Sequence, residues 1–111
     1  MPANPPSPRP ELDERLVQVG AEIIQLHSGL ALATCRHMVE KNARASLGAL
    51  GLTAFPGADD PIALKYNLVK DVIARLGNDL IERGVSDVVA AQVRHDLDAF
   101  YRGIRGIREG P

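Results

Sequence analysis

The chain has no tryptophan, one cysteine and few aromatic side chains: Phe55, Tyr66, Phe100 and Tyr101. That scarcity excludes a core built on ring packing, and leaves nucleic acid few platforms on which bases could stack. Cys35, alone in the sequence, cannot form an intrachain disulfide. A reducing compartment, the cytoplasm, is the expected setting. Neither sign of charge dominates, with 13 Lys and Arg against 14 Asp and Glu. Such a balance supplies no overall field to draw in nucleic acid or anionic lipid. No apolar run approaches the roughly 18 residues of a membrane span. The opening "MPANPPSPRP" lacks the apolar segment of a secretory signal. Alternating apolar runs and Asn-Gly or Asp-Gly turns are missing too, which argues against strands and hairpins.

What is present is aliphatic and helical in rhythm. At 111 residues and 45% hydrophobic content, the chain suits one domain with a core of its own. Five of the eight prolines fall in the first ten residues. Residues 1–9 are therefore expected to be a flexible tail, since proline supplies no backbone donor. Pro10 suits a first helical turn, and Leu12, Leu16, Val19, Ile23, Leu26, Leu30 and Ala33 then recur at spacings of four and three. A side stripe of Ile24, Ala31, Cys35 and Met38 widens this seam. The spacing predicts a helix over about residues 10–46, roughly 54 Å long. Ser28-Gly29 is the one place where it is expected to bend.

Residues 47–60, "LGALGLTAFPGADD", read as an apolar loop that caps its own bundle or docks a partner. A second helix is expected over 61–83, with Asp59 or Asp60 as its cap, Pro61 in its first turn, and Gly84 and Val85 ending it. The third is expected over 86–108, with Ser86 as its cap and Arg102, Arg105 and Arg108 near its negative end. Residues 10–111 thus form a single all-α domain, read as a three-helix up-down bundle. A kink at Ser28-Gly29 would make it a four-helix bundle instead. The long first helix outreaches its two partners, so a homodimer that covers the overhang is favoured.

The segment "TCRHMVEKN" gathers Cys35, His37, Met38 and Glu40. His37 and Glu40, like His95 and Asp98, stand three apart, but they lack the Glu-x-x-His order and extra carboxylates of bundle metal sites. Cys35 and His37 diverge by about 200° on a helix. No metal and no cofactor is expected. His37 continues the main seam, while Lys41 and Arg44 lie within two turns of it. With His27 and Thr34 they make the second half of the first helix polar where the first half is leucine-rich. His37, Lys41 and Arg44 are therefore candidate ligands for a carboxylate or phosphate. The plainer alternative is a solvated rim.

A long first helix followed by two shorter ones resembles, in layout alone, the small all-helical chorismate mutases. That family's pocket implies an Arg-Glu pair just after an Asp that opens the second helix. Here Asp60-Pro61 is followed by Ile62, Ala63 and Leu64, and the seam before His37 is apolar. The motif is not met, and no membership follows.

The favoured reading is a cytoplasmic, non-enzymatic interaction protein. It would homodimerise through its first helix and dock a protein partner of unknown identity. The candidate docking residues are Leu47, Leu50, Leu52 and Phe55 in the apolar loop, with Tyr101, Arg102, Arg105 and Arg108 near the C-terminus. Neither membrane nor nucleic acid is expected as a partner. The alternative is a small enzyme or anion-binding bundle that uses His37, Lys41 and Arg44.

Overall fold

A computed structural model describes residues 14–56 and 60–105, without the side chains of Ile62, Ile104 and Arg105. The expected tail at 1–9 and Arg108 lie outside the described residues. Among the described residues four helices follow one another: α1 (Glu14–Ser28), α2 (Leu32–Ala49), α3 (Ile62–Glu82) and α4 (Asp87–Arg105). There is no β-strand among the described residues, and none of the helices there is long and apolar enough to cross a membrane.

The expected continuous first helix is interrupted, which is the main correction. Gly29 adopts φ +76°, a left-handed conformation open to glycine at little cost, and its N–H bonds the Gln25 carbonyl at 2.9 Å. Ser28 completes the stop. Its hydroxyl donates to the Ile24 carbonyl at 2.6 Å and accepts from the Leu30 N–H at 3.2 Å. Two side-chain bonds and one left-handed residue thus turn the chain back within residues 29–31. The long rod of the chorismate mutase layout is absent with it.

The other ends follow their local chemistry. Gly51 (φ +71°) closes α2 with paired bonds, Leu52 N–H to Leu47 C=O and Gly51 N–H to Gly48 C=O. Gly84 (φ +92°) closes α3 in the same way, with Val85 bonded to Leu80. Ser86 caps α4 through Val89 N–H at 3.2 Å, as its position suggested. At the start of α3, Pro61 occupies the cap position in place of the expected Asp59 or Asp60, with no side-chain cap bond; Asp59 lies outside the described residues.

Each helix packs against two others, in the ring α1–α2–α3–α4–α1. Cross-helix pairs fix the directions. Asn42 meets Asp79 while Ser46 faces Asp71, so α2 and α3 run antiparallel. Tyr66 meets Arg102 while Gly77 meets Arg94, and α3 and α4 do likewise. His27 meets Asp96 while Gly20 meets Tyr101, which sets α1 against α4. The described residues thus form an all-helical bundle with antiparallel neighbours.

Its core is aliphatic: Val17, Ile24, Met38, Val39, Leu47, Val72, Leu76, Leu80, Val93 and Leu97 are all fully buried. Each large side chain so buried contributes about 1.5–3 kcal/mol. The face that α1 buries is Leu16, Val17, Gly20, Ala21 and Ile24, rotated from the expected seam. Gly20 and Ala21 explain the rotation. Without a side chain at Gly20, Tyr101, Val39 and Leu97 all crowd the position, so the small residues face inward and larger ones move to the flank. Val19 and Ile23 end up half-buried, Ala33 is exposed, and Leu26 stands in water.

Candidate functional site

The reversal at Gly29 decides where the polar residues of "TCRHMVEKN" go. In α2 the buried face is Cys35, Met38, Val39, Asn42, Ala43, Ser46 and Leu47. Cys35 and Met38, expected as a side stripe, are central to it. The Cys35 thiol donates to the Leu30 carbonyl at 3.7 Å, and burial pushes its pKa up despite the nearby Arg83. Such a thiol is a small core residue with little thiolate character.

His37, Lys41 and Arg44 share the outward side of α2. His37 is exposed, and Arg44 is half-buried with an Nε that meets no acceptor. Lys41 reaches toward α3, where its Nζ lies 3.4 Å from Asp79 Oδ2. The three therefore keep one side of α2, at helical spacing, with Lys41 engaged by Asp79. Thr34 is half-buried and His27 belongs to the α1–α4 seam.

Asp79 is the polar centre that the sequence reading passed over. It is buried on α3 and accepts from Asn42 Nδ2 at 2.9 Å and from Arg83 Nε at 3.1 Å, with Lys41 beside it. Burial alone would raise its pKa. The Asn42 amide, Lys41 and Arg83 outweigh that and hold it below the ordinary carboxylate range. Asn42 also donates from the same Nδ2 to the Met38 carbonyl at 2.8 Å, so both amide hydrogens have an acceptor. Nearby, the Ser46 hydroxyl, buried toward Asp71 without closing a hydrogen bond of good geometry, and then Arg75 lower the Asp71 carboxyl. These groups lock α2 to α3. The missed signal was Asn42 one place before Ala43, inside the apolar arc.

The expected docking residues fall in three groups. Leu47 and Tyr101 are buried in the core, where they hold the bundle together. Burial pushes the Tyr101 phenol well above its usual range. Leu52 and Phe55 are half-buried against the core, so the loop caps its own bundle, and Leu50 stays partly exposed. Arg102 is tied down over the Tyr66 ring, 4.9 Å from its centroid, with both Asp98 oxygens on its Nε. The Arg105 side chain and Arg108 lie outside the described residues.

Exposed apolar groups concentrate elsewhere. Leu26 is 77% exposed, Val88 68% and Ile81 43%. Antiparallel packing puts all three at the end of the bundle that carries the α1–α2 and α3–α4 turns. Leu30 and Val85 are half-buried there. Along the outer side of α4, Val88, Ala91, Gln92 and His95 follow one another at helical spacing. A cleft of about 450 Å³ flanks them toward α1, where His27 Nε2 and Asp96 Oδ2 are 2.6 Å apart. A second cleft, of about 430 Å³, lies toward α3 among Lys70, Ile73, Ala74, Arg94 and Asp98. Among the described residues no group of three His, Cys, Asp or Glu side chains comes together as a metal site would need.

Compared with protein-family models, with curated proteins and with solved structures, the chain matches none. What it does is argued from its own residues.

Proposed function

We propose that this protein works by association: a non-enzymatic helical-bundle interaction protein that homodimerises and docks a protein partner. Leu26 carries the reading. A leucine 77% exposed, one turn beyond Ile23 and two beyond Val19 on the same side of α1, extends an apolar stripe out of the core into solvent. Val88 and Ile81 widen it across the same end of the bundle. Lone exposed leucines need no explanation, but a cluster continuous with the core is the usual mark of a surface that meets another protein. The dimer is thus assigned to the α1 edge and the turn-bearing end, with Leu50 at the opposite end left for a partner. A buried, unpaired thiol suits the cytoplasm as its compartment.

Light scattering coupled to size-exclusion chromatography tests this. The full chain is expected to run as a dimer in the micromolar range, and Leu26→Asp and Val88→Asp are expected to make it monomeric without loss of helicity. A wild-type chain that stays monomeric at high micromolar concentration would falsify the self-association.

A further inference from the structure

The seam between α3 and α4 is set by a glycine. A Cβ at Gly77 would lie 2.9 Å from Arg94 Cδ and 3.4 Å from its Nη1, so the arginine stem lies directly against α3 with its guanidinium beside Gly77. Two turns earlier on α3, Lys70 Nζ rests 5.2 Å from the centre of the Tyr66 ring. Positions 70 and 77 are roughly 10 Å apart along the helix axis. Between them the groove opens into the cleft of about 430 Å³, floored by Ile73, Ala74 and Ala91 and edged by His95 and Asp98. That volume is within the range of small-molecule sites.

The charges around this cleft do not cancel. Asp98 is engaged, its two oxygens accepting from Arg102 Nε at 2.8 and 2.9 Å. Lys70 and Arg94, both exposed, pair with no carboxylate among the described residues. Two unpaired cations therefore stand at the ends of an apolar floor. A bare inorganic anion would leave the floor wet, and a neutral hydrocarbon would leave the guanidinium fork unused. An apolar chain that ends in a carboxylate satisfies both. Each methylene laid on the floor contributes up to about 0.8 kcal/mol, and the planar fork matches a carboxylate.

We infer that the α3–α4 cleft binds an elongated apolar carboxylate, its head on Arg94 and its chain over Ile73, Ala74 and Ala91. Lys70 adds a second positive charge to the site. The cleft is open along its outer side, so part of the ligand stays in water and the complex exchanges rapidly. This site uses none of the residues assigned to dimerisation, and stands or falls separately from it.

The probe is octanoate, titrated into the isotope-labelled full chain and followed by amide chemical shifts. Saturable shifts centred on Ile73, Ala74 and Ala91 are expected. Arg94→Gln is expected to weaken binding about tenfold or more, the loss of one charge-assisted bond, and Arg94→Lys to recover part of it. Octanol, equal in length but uncharged, should bind more weakly by a similar factor. Circular dichroism confirms that the variants fold. The inference is overturned if the shifts map elsewhere or octanol binds as well as octanoate. It is likewise overturned if Arg94→Gln binds like the wild type, or inorganic phosphate produces the same shifts.

Discussion

Asn42 on α2 and Asp79 on α3 are joined by a 2.9 Å hydrogen bond, both of them buried. Asn42 is anchored in turn to the Met38 carbonyl, and Asp79 to Arg83. A buried carboxylate is tolerated only when its acceptor sites are filled, and here the partners come from both helices. The junction therefore fixes the register of α2 against α3, where an apolar contact alone would let the helices slide.

Removing the charge should show this. Asp79→Ala leaves the Asn42 amide without its cross-helix acceptor and is expected to destabilise the fold by about 1–3 kcal/mol in urea unfolding. The pH dependence has a definite sign. The Asp79 pKa is lowered in the fold, so its contribution is complete above the unfolded value, about 3.9, and is lost as pH falls through the folded one. The wild type should lose stability in acid more steeply than Asp79→Asn, whose group does not titrate. Parallel acid slopes for the two proteins would show that the junction is not coupled to folding.

Gly20 and Tyr101 give a second, sharper test. A Cβ at Gly20 would lie 2.7 Å from the Tyr101 hydroxyl oxygen, a distance that forces something to move. In an exposed helix Gly→Ala would gain about 1 kcal/mol, but here overpacking opposes it by about 1–3 kcal/mol. Gly20→Ala is thus expected to be neutral to destabilising, despite its helix propensity. Tyr101→Phe removes the clashing atom. In the Tyr101→Phe background, Gly20→Ala should become stabilising, and a double-mutant cycle read by thermal unfolding measures the difference. Additive effects would place Tyr101 away from Gly20.

Much of this architecture was legible beforehand. The all-helical class, the ends at Gly84 and Ser86 and the core of α3 follow from spacing and cap chemistry. Val69, Ile73, Leu76 and Leu80 are buried as the four-three rhythm requires. The first helix misled for a physical reason. Counting large apolar residues picks out Val19, Ile23 and Leu26, yet close helix packing prefers to bury Gly20 and Ala21. Periodicity also carries no information about a reversal of direction. Once Gly29 turns the chain, His37, Glu40 and Arg44 no longer continue the seam of α1, and Lys41 of the anion trio is drawn to Asp79. The α3–α4 cleft was out of reach, because Lys70 and Arg94 come to flank one groove only after two helices are laid together.

The turn at Ser28-Gly29 is also where the fold could be rewritten. A Cβ at Gly29 meets nothing within 4 Å, so Gly29→Ala introduces no clash, only a side chain at φ +76°. Its cost is expected to be about 1–2 kcal/mol of backbone strain. Ser28→Ala removes the hydroxyl that terminates α1. Together, the two changes favour one helix running through residues 14–49, roughly 54 Å long, over the hairpin. A straight helix would pull the buried faces of α1 and α2 apart. They could be covered again only if two chains exchanged their α1 halves, the usual route to a swapped dimer. In the Leu26→Asp background, which removes the proposed native association, Ser28→Ala/Gly29→Ala is expected to restore a dimer by light scattering with helicity kept or raised. A triple variant that stays monomeric and helical would mean that packing of α1 against α2 and α4 holds the reversal without help from its turn.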